Sequence, residues 1–295
     1  MMPILSGGKD KWYRPSDVAV GPDGSLFIAD WYDPGVGGHG MRDLERGRIF
    51  RVIPKDHNGY SFEKRDVSTL DGAINALMSS DLESRYLGWT SLHKMGLDKT
   101  EKALMKLISD KDRIKRARAA WCLGKMPGAG DKVISKISKD LDSDMRIVAI
   151  RLARQLGSNV ESLINELSND VSFQVKRECA IALRELDGEN VAALWAKLAL
   201  QHNGSDRWYL EALGIAADGN WDNCFKAWIE AGGKWDSKAG KDIVWRSRGK
   251  MAPEFLAKIV KGPNTNEEEK PRYMRAFDFH SGPEKDAALQ SILLE

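Results

Sequence analysis

The sequence predicts a mainly α-helical protein, a solenoid of about five to six stacked helix pairs preceded by a small antiparallel β segment. Three observations predict this class. Segments between residues 79 and 184 align with one another at a period of about 30 residues, which is typical of stacked repeat arrays. Apolar residues alternate with polar ones before residue 70, as in strands, and recur every three or four positions after it, as in helices.

Length and composition exclude several classes of protein. A chain of 295 residues can bury a sizeable core in one to three domains. Its 45 Lys and Arg against 43 Asp and Glu leave a net charge of +2, so no overall charge recruits nucleic acid or an anionic membrane. No apolar run reaches the length of a membrane span, and residues 1–10 do not resemble a secretory signal. The sequence leaves the localisation open.

Residues 1–70 carry the β pattern. Alternating residues and the turn sequence Pro22-Asp23-Gly24 predict a hairpin, and a third strand follows a glycine-rich loop at 34–40. The predicted strands are 17–21, 25–30 and 48–53, with 60–67 as a fourth strand or an extended connection. This is the size of one propeller blade. A single blade leaves unpaired edges, so we expect the chain to be part of a longer protein.

Three polar residues of this segment are candidate ligands. Asp30, Asp33 and His39 lie in or beside the glycine-rich loop, where oxygen and imidazole ligands could bind a cation or a substrate hydroxyl. The alternative is that they are ordinary polar loop residues. A phosphate cradle at this loop is disfavoured, because no helix follows to offer its amino terminus.

Residues 71–218 carry the repeats. Four repeat segments begin at Ser79, Asp110, Asp140 and Asp170. The sixth residue after each of these positions is a cation: Arg85, Arg116, Arg146 and Lys176. The ninth is small: Gly88, Ala119, Ala149 and Cys179. The small residue predicts a point where two helices approach closely, and Asp110, Asp140 and Asp170 are placed to cap the helix that follows.

These residues resemble the HEAT family in its short form of about 30 residues per repeat. The resemblance implies that Arg85, Arg116, Arg146 and Lys176 bridge to an Asp of the next repeat rather than bind a ligand. Two other readings stay open. The basic segment with Arg113, Lys115 and Arg118 suggests a DNA-binding protein of the HEAT glycosylase kind. The cysteines Cys122 and Cys179 fall on apolar helix faces, which favours buried side chains over nucleophiles.

Residues 219–295 are predicted to form a Trp-rich helical cap at the carboxy-terminal end of the array. Aromatic, cationic and acidic residues concentrate around this segment, and they form either the cap itself or a binding groove. The candidate surface or groove residues are Trp208, Trp221, Asp242, Trp245, Arg246, Arg248 and His280. Their types do not by themselves indicate a reaction.

Taken together, five motifs resemble one family from end to end of the chain. They are 14–40 (with GPDGSLFIADWYDPG), 47–52, 206–221 (with RWYLEALGIAADGNW), 242–248 and 275–280. The family is that of the large membrane-bound dehydrogenases of planctomycete and verrucomicrobial bacteria (the PVC superfamily), the haem-binding Cys-x-x-Cys-His proteins. In that family a propeller similar to quinoprotein glucose/sorbosone dehydrogenases precedes HEAT repeats, and a c-type cytochrome module follows them.

The resemblance implies a periplasmic or membrane-associated scaffold between a propeller module and a cytochrome module, of the same or another chain. Full-length relatives would carry haem c and a quinone or Ca²⁺. This sequence departs from the family, because it has no Cys-x-x-Cys-His motif and covers only about one blade. We therefore expect no cofactor and no catalytic residue in this chain. The alternatives are a free-standing HEAT module that binds a protein and, third, a HEAT-type DNA-binding protein.

Overall fold

The computed structural model describes residues 4–21, 23–32, 45–57, 65–186 and 188–294. Within this part of the chain it has fifteen α-helices and a three-stranded antiparallel sheet at the amino-terminal end, which confirms the predicted fold class. The chain forms two compact units, Met1–Leu107 and Ile108–Glu295. The predicted division at residues 70 and 218 stays a prediction.

The elements follow one another from strands to helices. The strands are β1 (Pro15–Val20), β2 (Leu26–Asp30) and β3 (Arg48–Val52). The helices of the first unit are α1 (Leu70–Leu77), α2 (Leu82–Met95) and α3 (Leu97–Leu107). Those of the second are α4 (Arg113–Gly124), α5 (Gly130–Ile137), α6 (Ser143–Leu156), α7 (Val160–Leu167), α8 (Phe173–Leu183), α9 (Glu189–Ala199), α10 (Arg207–Ala216), α11 (Trp221–Glu230), α12 (Lys238–Arg246), α13 (Ala252–Lys261), α14 (Lys270–Ala276) and α15 (Pro283–Leu293), with a 3₁₀ turn at Phe277–Phe279.

The sheet of the first unit has the strand order β1-β2-β3. Its first turn is closed by the amide of Gly21, which donates to the carbonyl of Ser25 at 2.7 Å, while Gly24 takes a φ of +82°. This positive φ is the reason for a glycine in the turn. The predicted turn residue Pro22 and residues 60–64 of the predicted fourth strand lie outside the described residues.

The small residue predicted in each repeat marks a close helix contact. A Cβ added to Gly88 of α2 would lie 2.4 Å from the amide nitrogen of Leu77 and 2.6 Å from the carbonyl oxygen of Ala73. Helices α1 and α2 can therefore approach this closely only because residue 88 lacks a side chain. In the second unit the equivalent positions, Ala119, Ala149 and Cys179, are fully buried.

The helices of the second unit form two rows. The even-numbered row stacks in sequence from α4 to α14, each helix packing on the next even-numbered one. In the odd-numbered row, α7 packs on α9 and α9 on α11, and rings of Phe225 and Phe255 join α11 to α13 at 5.3 Å. Each helix pair thus buries its apolar face against neighbouring pairs, which is how a repeat array builds one continuous core.

Helices α4 and α6 begin at acidic caps two residues later than predicted, and α8 begins at Ser172. The carboxylates of Asp112 and Asp142 accept from backbone amides in the first turns of α4 and α6, at 2.8 and 2.9 Å. Asp110, Asp140 and Asp170 instead accept from the amide of the cap residue itself, at 2.8, 2.9 and 2.8 Å. They stabilise the turn before the helix rather than the helix end.

The predicted bridging arginines contact the neighbouring repeat in the second unit. Arg146 donates to Asp170 from Nε at 2.6 Å and from Nη2 at 2.8 Å, and its Nη1 donates to the carbonyl of Asp140 at 2.7 Å. Arg116 contacts Asp142 at 2.7 Å. The planar guanidinium of Arg146 therefore connects the turn before its own helix, α6, to the turn before α8.

The other two cations of the pattern have different surroundings. The ammonium of Lys176 lies 4.7 Å from the centre of the Phe173 ring, and its neighbour Arg177 pairs with Asp206 at 3.6 Å. In the first unit, Arg85 donates to the carbonyl of Asp81 at 3.3 Å. The bridge between repeats thus shifts by one residue where lysine replaces arginine, because lysine lacks the planar fork that binds a carboxylate and carbonyls together.

The bidentate contact of Arg146 with Asp170 predicts a large loss of stability when Arg146 is replaced. Replacement by glutamine leaves Asp170 buried with a single backbone donor, since the side chains of the pair are only 12% and 7% exposed. We expect Arg146→Gln to lower the free energy of unfolding by about 3 kcal/mol. Urea unfolding followed by circular dichroism measures this loss.

The matched control is Arg113→Gln, which removes an exposed pair with Asp144 whose side chains are 72% and 57% exposed. Such surface pairs contribute about 0–1 kcal/mol, so this variant should unfold close to the wild-type midpoint. Equal effects of the two substitutions would contradict a structural role specific to Arg146.

Candidate functional site at the carboxy-terminal arginine–tryptophan surface

Trp245 on α12, one of the residues predicted as a carboxy-terminal site, is contacted by two arginines that the sequence analysis did not single out. The guanidinium carbon of Arg272, from α14, lies 4.6 Å from the ring centre. That of Arg207, from the first turn of α10, lies at 5.0 Å. Three helices of the even-numbered row thus meet at one half-buried indole. Cation–π contacts of this kind hold both arginines in defined orientations.

One carboxylate, that of Glu211, binds both Arg207 and Arg246. Arg207 pairs with Glu211 one turn later at 2.5 Å, and Arg246 reaches the other oxygen of Glu211 at 2.9 Å. A Cβ at Gly214 would lie 2.4 Å from the guanidinium carbon of Arg246. The glycine therefore makes the space in which Arg246 crosses from α12 to α10.

Asp242 connects α12 to α14 and to the turn after α9. It accepts from Arg272 at 2.6 Å, and Nε2 of the buried His202 lies 3.5 Å from its other oxygen. Burial alone would raise the pKa of Asp242, but His202 and Arg272 outweigh it and hold this pKa below its usual value. Asp242 is therefore an ionised structural partner, not a general acid at neutral pH.

Arg248 lies just beyond the end of α12. Its Nη1 donates to the carbonyls of Trp245, Arg246 and Ser247, at 3.2, 3.0 and 2.7 Å, and its guanidinium stacks 4.3 Å from the centre of the Phe279 ring. Burial, followed by the nearby charge of Arg246, lowers the pKa of Arg248. Within the described residues, no ion pair joins this arginine to a carboxylate.

His280 follows the 3₁₀ turn at Phe277–Phe279. Its Nε2 is buried and has no hydrogen-bond partner in the described part of the chain. Burial and then the charges of Arg248 and Lys285 lower the pKa of His280. The histidine is therefore mostly neutral at pH 7 and lies near the positive charges of Arg248 and Lys285.

The tryptophans predicted for this site separate into two groups. Trp208 is 72% exposed, on the first turn of α10. Trp221 is 7% exposed, and its ring packs edge-on against Trp195 at 5.7 Å inside the core. The structure therefore brings Trp245, Arg246 and Arg248 to one region, exposes Trp208 next to Arg207 on α10, and places Trp221 in the packed interior.

Sequence reasoning missed several residues that complete this region: His202, Arg207, Glu211, Arg272 and Phe279. Arg207 was detectable as the neighbour of Trp208 in the motif at 206–221. The pairing of Arg272 with Asp242 was not, because the repeat pattern is too degraded after residue 200 to assign equivalent positions.

Of the three amino-terminal ligand candidates, Asp30 alone lies within the described residues. Asp33 and His39 lie outside the described residues. Asp30 is buried, and both of its oxygens are engaged: one accepts from the amides of Arg14 and Tyr32, at 2.8 and 3.0 Å, and the other from Nε of Arg48 at 2.8 Å. Its carboxylate joins the chain before β1 to β3, so it offers no unused oxygen to a cation.

The described side chains offer neither a metal site nor an attachment site for haem c. No group of three or more His, Cys, Asp or Glu among them could hold a metal ion. Haem c attachment requires two accessible thiols with a neighbouring histidine, whereas Cys122, Cys179 and Cys224 are buried in separate helices. No helix of the described residues is long and apolar enough to span a membrane.

Burial also predicts unreactive thiols. It raises the pKa of Cys122, Cys179 and Cys224 to about 12 in each case, so almost no thiolate is present at pH 8. We expect no reaction with Ellman's reagent in the native protein and release of all three thiols in guanidinium chloride. Ser162→Cys, on the exposed face of α7, is the positive control and should react at once. Rapid native reaction of an original cysteine would refute this assignment.

The carboxylate of Asp242 predicts a pH dependence of stability. Because its pKa is lower in the folded protein, its contribution is complete above the unfolded-state pKa of about 3.9 and is lost as the pH falls through the folded-state pKa. We expect Asp242→Asn to destabilise the protein at pH 7 and its difference from the wild type to shrink as the pH falls below about 4. Unfolding curves across this range test it.

The control for this prediction is Asp218→Asn, which removes an exposed pair with Arg184 whose side chains are 61% and 55% exposed. It should change stability little at any pH. A difference between wild type and Asp242→Asn that stays constant with pH would contradict an ionised Asp242.

Comparison with known families gives a match at the amino-terminal strands. A family model described as a domain of unknown function (DUF7133) matches residues 5–56, which contain β1, β2 and β3. No curated protein matches this chain. Among solved structures, the crystal structure of an engineered protein is similar at 17% identity, covering 76% of this chain and 71% of that one, with a TM-score of 0.39. A similarity of that size does not identify a common fold.

Proposed function

We propose that this chain is a non-catalytic helical-repeat scaffold of a larger quinoprotein-like dehydrogenase, of the glucose/sorbosone type, that passes electrons to a c-type cytochrome module. The observation that carries the scaffold part is the series of arginine–carboxylate contacts between successive even-numbered helices. It joins α4 to α6 through Arg116, α6 to α8 through Arg146, α10 to α12 through Arg246 and α12 to α14 through Arg272.

These contacts use the side chains that would otherwise be available for chemistry. The carboxylates of Asp170 and Asp242 are held by arginines, and the thiols are buried. An array of this kind gains stability from each neighbouring interface, so it keeps modules at its two ends at a fixed separation. Holding two partners in place is a function that such an array performs without turnover.

The sheet supports the propeller part of the proposal. Val18, Ile28 and Phe50 are in register across the three strands, as are Val20, Leu26 and Val52, so these six side chains share one face. None of the six is buried, and Val18 is 61% exposed. The same face carries the ion pair of Asp30 and Arg48 at one end. Its apolar part, with exposed valines, is suited to packing against another sheet, as propeller blades do.

The dehydrogenase and cytochrome parts of the proposal rest on the resemblance of the motifs at 14–40, 47–52 and 206–221. A quinone, Ca²⁺ or haem c would be bound by the partner modules. In this proposal the side chains of this chain therefore position those modules and take no part in electron transfer.

The alternative is a free-standing HEAT-repeat module that binds another protein, which the exposed Trp208 favours. DNA binding is less well supported. Arg113 and Arg116 of the basic segment pair with Asp144 and Asp142, at 3.4 and 2.7 Å, which reduces the positive charge available to phosphates.

The test is to identify what the chain is bound to in its source cells. Antibodies raised against the purified chain would precipitate its complexes from detergent-solubilised cells. We expect the precipitate to give a c-type pyridine haemochrome spectrum and to reduce a redox dye when an aldose is added. The isolated recombinant chain, treated in the same way, should do neither.

Two results would overturn the proposal. A native complex without haem c, or aldose oxidation by the isolated chain, contradicts a scaffold that joins a dehydrogenase to a cytochrome. A stable complex with a protein unrelated to either module would instead favour the free-standing alternative.

A further inference from the structure

We propose that the arginine–tryptophan surface, formed by Arg207, Trp208, Trp245, Arg248, Arg272 and Phe279, docks an acidic segment of a protein partner. That segment would carry carboxylates on both sides of an apolar side chain. The proposed scaffold function gives the surface its context, whereas the argument for the ligand class stands on the geometry of the six residues.

Exposed aromatic side chains mark this surface as an interface. Trp208 is 72% exposed and Phe279 is 59% exposed. Both lie beside arginines, because Arg207 precedes Trp208 and Arg248 stacks on Phe279. Tryptophan and arginine are the residue types that most often dominate the binding energy of protein interfaces. A tryptophan that only sealed the end of the array would be packed and not exposed. In this proposal an apolar side chain of the partner covers the indole of Trp208.

The arginines are already oriented for binding. Arg207 is fixed by the ring of Trp245 and by Glu211, and Arg272 by the same ring and by Asp242. Their side chains therefore lose little further conformational entropy when a ligand binds. A guanidinium held in this way presents its remaining N–H groups in the planar arrangement that suits a carboxylate.

The charge of the region favours an acidic ligand. Among the residues that the structure describes, two carboxylates, those of Glu211 and Asp242, pair with Arg207, Arg246 and Arg272, and none pairs with Arg248. Arg248 is held by main-chain carbonyls, and the nearby Nε2 of His280 is buried without a partner in the described chain. Burial is the main cause of the lowered pKa values of Arg248 and His280, and the charge of Arg246 near Arg248, and of Arg248 and Lys285 near His280, adds to it.

A protein segment fits better than a nucleic acid. Glu211 and Asp242 lie within the surface, so a continuous phosphate backbone would meet two fixed negative charges. The chain has a net charge of only +2, which gives little long-range attraction for a polyanion. A peptide can place its carboxylates at the arginines and its apolar residue at Trp208, and so avoid those two positions.

The experiment is a selection from a random-peptide phage library on the immobilised chain, with prior depletion on the Trp208→Ala variant. Selected peptides are then synthesised, and their affinities for the variants are measured by fluorescence anisotropy. We expect enrichment of Asp and Glu around an apolar residue. Binding should weaken about 30-fold for Trp208→Ala and about fivefold or more for Arg207→Gln.

Arg184→Gln is the matched control, because it removes an exposed arginine paired with Asp218 on a different part of the same row. Its affinity should stay within about twofold of the wild type. Because Trp208 and Arg207 are largely exposed, circular dichroism of both variants should be unchanged.

Any of three results would overturn the proposal: no Trp208-dependent peptides, enrichment of basic or uncharged sequences, or tighter binding of single-stranded oligonucleotides than of the acidic peptides. These outcomes are separate from the haemochrome test, since a native complex that contains haem c can form through other surfaces.

Discussion

The contact between an arginine and a carboxylate of the neighbouring even-numbered helix is the interaction on which the second unit depends. Arg146 shows why: its guanidinium binds Asp170 with two nitrogens and also binds carbonyls of the turn before its own helix. Because the pair is largely buried, loss of one partner leaves the other without compensation. One side chain therefore fixes both the turn and the spacing between repeats.

The direction of this contact reverses along the array. From α4 to α10, the earlier helix supplies the arginine and the later helix the carboxylate, as in Arg116 with Asp142 and Arg177 with Asp206. From α10 onward, the later helix supplies the arginine, as in Arg246 with Glu211 and Arg272 with Asp242. Arginines from both sides consequently converge on Trp245, and the proposed docking surface forms where the direction changes.

Sequence reasoning reached the fold because repeated local constraints encode it. The small residue at Gly88 or Ala149 and the cation at Arg116 or Arg146 recur at a fixed period, and each has a local physical reason. It located part of the candidate site from the concentration of Trp, Arg and Asp near the carboxy-terminal end. It could not separate Trp208 from Trp221, because the two tryptophans differ in burial and not in any local pattern.

The sequence by itself determined the class of fold, the repeat period, the presence of a β segment before the helices and the positions of two bridging arginines, Arg116 and Arg146. Only the tertiary structure decided which carboxylate each arginine binds, and that Asp30 is fully engaged with Arg14, Tyr32 and Arg48. It also decided that Trp245 lies between Arg207 and Arg272. Helix propensity and the spacing of apolar residues depend on neighbours in the sequence. The partners of these side chains come from distant positions, which the stacking of whole helices brings together.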